Sequence, residues 1–415
     1  MSPLVMEDLT TTINSNSKIT MAPTNKKLAR PVFPRQDSHN GIFFPKIDIP
    51  AGKMLVIIPD MFTSFMALPP TINQFYLDVR AESEVWICDK LKASERLGAI
   101  IAKTDFSLFC AIAAPDADKA ELRTMCDWGN WVFPFDDMFD NGDLKSDPVA
   151  SRKIMDDLLS IMRDGPRERR SNDALIDIHD TVWERISKVT SKGSTDPYVW
   201  QQQELRIQDV KDRFLEAMSQ YCDGALEVVE HHARGGRLGL QEYMAIRRRS
   251  AGVTPVVAMV EYAHKINIPK AVYRHCSFEE LKRVCADVIA IQNDILSYAK
   301  EEAEGVTHNL IAVLRQGGMS TQQAFDHAGV MLKDCYRDWY IAQSQVPQVS
   351  QAVDHDIQKY VAGIRNIMLA SLNWSFKSER YLGQKNSLAR KYRTVIVLDE
   401  RDCFATHDEG LEEFV

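Results

Sequence analysis

Residues 131–144 read WVFPFDDMFDNGDL, with three carboxylates, Asp136, Asp137 and Asp140, in a DDxxD pattern directly behind an apolar, aromatic run. In a helix, Asp136 and Asp140 stand one turn apart on a single face, their Cβ atoms about 5–6 Å from each other. Hard divalent cations such as magnesium take oxygen ligands, usually one or two carboxylates with the shell completed by water and substrate phosphate. The pattern therefore points to a metal and, through it, to a phosphate-bearing substrate. Surface helices carry such clusters by chance, and the aromatics decide between the two readings. Phe133 lies one turn before Asp136 on the same face, so a metal here would sit at the mouth of an apolar wall.

Working outward, Asn141-Gly142 ends this helix and Pro148 opens the next. Apolar positions recur every three or four residues almost without interruption, with breaks at Gly235-Gly236, Gly305 and Gly317-Gly318. Helices are expected over roughly 72–93, 104–114, 118–140, 148–163, 173–191, 197–233, 240–265, 277–304, 320–345 and 351–382. The predicted fold class is all-α, a single helical domain over 31–385. Residues 1–30, rich in Thr, Asn, Ser and Lys, are expected to form a disordered tail. The proline-rich pieces between Arg30 and Pro70 (PVFP, FFPKIDIP, VIIPD) read as an extended, wrapped segment and not as sheet. Residues 386–415 lose periodicity and read as a surface tail.

The 415 residues, 45% of them hydrophobic, are enough for a sizeable core. A net charge of −8 argues against nucleic acid or an anionic membrane as the main partner, so an anionic ligand must be met by local positive charge. The opening MSPLVMEDLTTTINSNSK has no apolar leader, and no run of 18 apolar residues occurs, which gives the expectation of a soluble, cytoplasmic protein. Eight cysteines without CxxC or zinc-like spacing read as buried thiols.

Three further stretches carry chemistry. In IQNDILSYAKEE, Asn293, Ser297 and Glu301 are spaced i, i+4, i+8, so each lies only about 40° around a helix from the last. An amide, a hydroxyl and a carboxylate on one face suit a six-coordinate magnesium site with room for phosphate oxygens. The surrounding VCADVIAIQNDILSYA is among the most apolar runs of the chain, where Asn and Asp are costly to bury without partners. In EYMAIRRRSAG, Arg247, Arg248 and Arg249 precede Gly252 and Pro255, which suggests guanidinium groups at a helix bend, placed for bidentate contact with phosphate. NWSFKSERY puts Arg380 and Tyr381 near the end of the last helix. His231-His232 read as solvent-facing.

Together these stretches resemble the class I terpene synthases, most closely the fungal sesquiterpene cyclases of the presilphiperfolanol synthase type, over roughly residues 30–385. The resemblance implies that Asp136, Asp137 and Asp140 face Asn293, Ser297 and Glu301 across three Mg2+ ions and a substrate diphosphate. Asp136 is the first choice of direct ligand, and Asp140 acts through another group. It further implies that Arg247, 46 residues before Asn293 (293 − 247), senses the diphosphate, with Arg248 the alternate. Lys300, Arg380 and Tyr381 would complete the clamp, and Trp374 would join Phe133 in the cavity wall. Ser250 stands where relatives tend to have threonine, which leaves open which residue near Ser250–Gly252 directs a carbonyl at the reacting carbon. The implied substrate is farnesyl diphosphate, cyclised by a monomer or weak homodimer. Two alternatives remain: a prenyl diphosphate synthase, which would need a second DDxxD where NDILSYAKE stands, and a catalytically inactive binding protein of the same fold.

Overall fold

A computed structural model describes residues 48–140, 142–165, 171, 173–188 and 197–399. The expected tail 1–30 lies outside them. Everything below concerns the unit that begins at Gly52.

In chain order this unit comprises strand β1 (Lys53–Ile57) and helices α1 (Tyr76–Leu91), α2 (Glu95–Thr104), α3 (Phe106–Ala113), α4 (Lys119–Asp140), α5 (Pro148–Asp164) and α6 (Ala174–Ser187). Then come α7 (Pro197–Arg234), α8 (Leu240–Ser250), α9 (Val253–Ala263), the single turn α10 (Lys270–Tyr273) and α11 (Cys276–Ala303). The unit finishes with α12 (Leu310–Gln316), α13 (Thr321–Ser344), α14 (Gln351–Ser375), α15 (Asn386–Tyr392) and strand β2 (Thr394–Leu398). The all-α expectation holds for the body of the molecule.

Helix α11 is the axis. From Val284 to Tyr298 every residue except Asn293 is buried, the pattern of a helix surrounded by others. Its neighbours include α8, α9, α13 and α14, while α4 packs on α1, α3, α6 and α9. Helix α14 lies on α3 and α11, so the aromatic face of α3 is brought toward the end of α4.

The expected helix 240–265 is two helices. Gly252 adopts φ +67° at the N-cap of α9, a left-handed conformation that glycine takes without steric penalty, and the chain bends there. Helix α2 was not expected. Ser94 caps its start through Leu97 N–H, and Asp105, itself left-handed, separates it from α3. Helix α12 was also missed; it is announced only by Asn309, whose side chain accepts from Ile311 N–H.

Two expectations are corrected. Lys53–Ile57 is a strand, and it pairs antiparallel with Thr394–Leu398, Lys53 opposite Leu398. Residues 386–398 are consequently no surface tail: Val395 and Val397 are buried, and Leu398 N–H donates to Glu302 Oε2 of α11 at 2.8 Å. The pairing joins segments at opposite ends of the sequence, and each is too short to signal a strand by alternation alone. In addition, α14 ends at Ser375, so Arg380 and Tyr381 lie in the turn that follows it. Of the cysteines, Cys276 is exposed at the start of α11 and Cys403 lies outside the described residues; Cys88 is half-buried and the other five are buried, as expected.

Candidate active site

One cavity is bounded by α4, α7, the α8–α9 break, α11, α14 and the turn after it. Its deep wall is aromatic. Trp374 is buried among Phe106, Phe109, Phe133 and Tyr381, with ring centroids 5.2, 6.2, 5.7 and 5.7 Å away. Its indole N–H donates to Thr104 O at 2.7 Å, which satisfies the one polar atom and fixes the ring. Phe133 stacks on Trp374 at 19° between planes. Gly129, on the same helix, allows this assembly, since a Cβ there would lie 2.2 Å from the Phe106 ring.

The rim is polar and built from two sides. On α4, Asp136 accepts a short hydrogen bond from Tyr221 of α7, while Asp137 and Asp140 are exposed. Burial, with the charge of Asp140 next, pushes the Asp136 carboxyl up to about 8 against the opposing pull of Tyr221 and Arg380. Asp140, open to solvent at the mouth yet ringed by protein, is also raised by desolvation, against the attraction of Arg247.

On α11, each group is held. Asn293 donates from Nδ2 to Tyr381 Oη at 2.7 Å and accepts at Oδ1 from Arg247 Nη2 at 2.7 Å. Arg247 also bonds Asp294 Oδ1, at 3.2 Å from Nε and 3.1 Å from Nη2. Burial works against the Arg247 charge, but Asp294, Tyr243, Glu301 and Asp140 together outweigh it and hold the guanidinium more basic than usual. Glu301 accepts from Asn309 Nδ2 at 2.8 Å. Burial raises its carboxyl, and Asn309, Arg247 and Ser297 oppose the rise. The Ser297 hydroxyl is completely buried, close to the Glu301 carboxyl one turn on. Lys300 lines the mouth and pairs with Glu304 at 3.1 Å.

The two sides meet at the turn after α14. Arg380 lies over the Phe133 ring, 4.0 Å from its centroid, and 3.6 Å from Asp137 Oδ1. Desolvation lowers its basicity and the neighbouring Tyr381, Asp137 and Asp136 more than restore it.

Asp136, Asp137, Asp140, Phe133, Arg247, Asn293, Lys300, Glu301, Trp374, Arg380 and Tyr381 all line this cavity, whereas Ser297, Arg248 and Arg249 do not; Ser297 is fully buried. The alternate arginine is separated out: Arg248 points away and grips the buried Asp287 with two bonds, 2.6 and 3.1 Å. Arg249 pairs with Glu227. Ser250, Ala251 and Gly252 reach the cavity at the helix break, where Ala251 N–H donates to Arg247 O and closes α8. The histidine pair is corrected: His231 and His232 are both half-buried, and His232 lines the mouth.

Sequence reasoning missed Tyr221, Tyr243, Asp294, Asn309, Phe106, Phe109 and His308. Asp294 had a signal, a carboxylate inside an apolar helix, and Asn309 had the look of a cap before LIAVL. Tyr221 had none, since its partner is 85 residues away.

The oxygen set suits a hard cation: carboxylates that burial leaves reluctant to ionise, an amide oxygen, and a buried hydroxyl beside Glu301. Among the described residues no three His, Cys, Asp or Glu side chains converge on one point. Completion of a metal shell therefore calls for amide, hydroxyl, water and substrate oxygens.

Residues 127–338 match the family described as terpene synthase family 2, C-terminal metal binding. This chain belongs to the terpene synthases. Silphinene synthase of Penicillium patulum is 36% identical over 351 residues, 83% of this chain and 90% of that protein. The (+)-eremophilene synthase of Gibberella fujikuroi is 36% identical over 332 residues, 79% of this chain and 88% of its own. The crystal structure of a-eudesmol synthase superposes with a TM-score of 0.63 at 24% identity, over 75% of this chain and 97% of that one, a likeness of fold. Terpene synthases act on prenyl diphosphates, and the matched region is metal-binding, so a divalent metal goes with the activity. Among the described residues no helix is long and apolar enough to cross a membrane.

Proposed function

We propose that this terpene synthase ionises farnesyl diphosphate with magnesium and cyclises the resulting cation to a cyclic or polycyclic sesquiterpene. The observation that carries the reading is a single cavity whose oxygen- and guanidinium-rich rim joins an aromatic wall at one residue pair, Arg380 over Phe133. A substrate with a diphosphate head and an apolar tail matches both parts.

In this reading Asp136, Asp137 and Asp140 on one side, and Asn293, Ser297 and Glu301 on the other, hold the metal. Asp136, already anchored by Tyr221, is the direct ligand of the first set. Three Mg2+ ions, when bound, supply Lewis-acid neutralisation of the charge that grows on the leaving diphosphate. Arg247, Lys300, Arg380 and Tyr381 bind and orient the same group from above. Arg247 is presented by Asp294 at a fixed angle, which suits bidentate contact. As the C–O bond breaks, the allylic cation is left against Phe133, Trp374, Phe106 and Phe109. Each face is worth about 0.5–2 kcal/mol of cation–π attraction. The tight aromatic packing also excludes water, which would quench the cation early. The enzyme works in the cytoplasm as a monomer or weak homodimer.

Incubation of purified protein with farnesyl diphosphate, with and without magnesium, followed by gas chromatography–mass spectrometry, tests the proposal. A magnesium-dependent cyclic C15 hydrocarbon or alcohol is expected. Longer diphosphates formed only on adding isopentenyl diphosphate would establish the prenyl-elongation alternative. No product from C10, C15 or C20 diphosphates would leave an inactive protein of this fold.

A further inference from the structure

The mouth of the cavity holds an imidazole for which none of the roles above accounts. His308 sits in the connection between α11 and α12 and lines the same cavity as Arg247, Glu301 and His232. Both of its ring nitrogens are shielded from solvent and, among the described residues, neither has a hydrogen-bond partner. Buried polar atoms are nearly always paired, so an imidazole left unpaired on both sides calls for a partner that arrives from outside.

The ring is held in place by what surrounds it. Asn309, the next residue, donates to Asp294 O at 2.9 Å and Glu301 Oε2 at 2.8 Å, which ties the backbone beside His308 to α11. The Tyr243 ring packs against the imidazole at 4.9 Å between centroids, and Tyr243 is itself anchored on Asp294. His232 of α7 stands across the mouth, its ring edge-on at 6.4 Å, with its Nδ1 likewise buried and unpaired among the described residues. Burial, with Arg247 and the two neighbouring histidines adding to it, keeps His308 neutral. A neutral imidazole carries one N–H and one lone pair, and with neither nitrogen committed the N–H can be offered from either side of the ring.

We infer that His308 is a direct hydrogen-bond donor to the substrate diphosphate, completing the Arg247 side of the mouth, with His232 bounding the same pocket. The inference rests on the diphosphate reading of this site. An anion seated beside Arg247 and a Glu301-bound metal lines the same cavity as His308, whose two ring nitrogens are both without a partner among the described residues. Because the ring is fixed before the ligand arrives, little ordering is lost when the bond forms.

The test is calorimetric titration of the full chain with inorganic diphosphate in the presence of magnesium, comparing wild type, His308→Phe and His308→Gln. Phenylalanine keeps the packing on Tyr243 and removes the donor; glutamine restores one. The Phe variant should bind roughly tenfold or more weakly, the Gln variant within about threefold of wild type, with unchanged circular dichroism. In 15N-histidine-labelled protein, the ring resonance that His308→Phe removes should move when magnesium diphosphate is added. Wild-type affinity in the Phe variant, or a resonance that stays still while the wild type binds, overturns the role of His308 alone. If the wild type binds no magnesium diphosphate, the diphosphate reading itself fails, and His308 with it.

Discussion

The two stretches that face each other across the mouth are built in opposite ways. On α11 the groups facing the mouth are committed: Asn293 at both ends of its amide, Asp294 to Tyr243, Arg247 and Leu310 N–H, and Glu301 to Asn309. Asp294 is 1% exposed. In the DDxxD run at the end of α4, Asp136 has a firm partner in Tyr221, while Asp137, its side chain 55% exposed, touches Arg380 at the long distance of 3.6 Å. The first is a rigid seat, and the second is an acidic lip whose geometry the ligands must complete. In a terpene synthase that division makes sense. In the proposed reading, a fixed register on one wall defines where the substrate head goes, and movement of the other wall can close over it.

The sharpest way to break this picture is on the rigid side. Asn293→Ala combined with Ser297→Ala should lower turnover by about 10³-fold or more, comparable with or beyond the loss of a preorganised electrostatic group, while helical circular dichroism persists. Normal product formation by that variant would remove the α11 stretch from the chemistry. Next in size is a contrast in stability. Asp294→Ala strands the Arg247 charge and the Tyr243 hydroxyl in a buried setting and should destabilise by about 3–5 kcal/mol in denaturant titration. Asp137→Ala should change stability by less than about 0.5 kcal/mol while still reducing turnover. Equal stability losses in the two would mean that both walls are equally rigid. The smallest effect is on Phe133, where truncation to alanine should redistribute the products seen by gas chromatography, since about 0.5–2 kcal/mol of cation stabilisation shifts from one intermediate to others. An unchanged product profile would make Phe133 a packing residue only.

The same asymmetry explains what could be read from the sequence. DDxxD and the Asn293–Ser297–Glu301 spacing were visible because helical periodicity turns spacing into a shared face. Arg247 was distinguished from Arg248 only by resemblance; the physical distinction is that one faces Asp294 and the other Asp287, both on α11. Partners from distant elements left no trace in the local pattern: Tyr221 on Asp136, Tyr381 on Asn293, and His308 beside Tyr243. The α2 helix and the β1–β2 pair escaped for a related reason. A ten-residue helix with a left-handed Asp105 at its end blurs into its neighbour, and a five-residue strand shows itself only through its partner.

That partner also sets an order of assembly. The pairing of Lys53 with Leu398 is about as non-local as this chain permits, and contacts so distant in sequence form late. Arg380 and Tyr381 lie just before α15 and β2, the elements the ribbon secures. A chain still on the ribosome can therefore fold the helices that bear Asp136 and Asn293 well before it owns the arginine and tyrosine proposed to cap the substrate head. Generation of a reactive cation waits for a finished molecule able to shelter it.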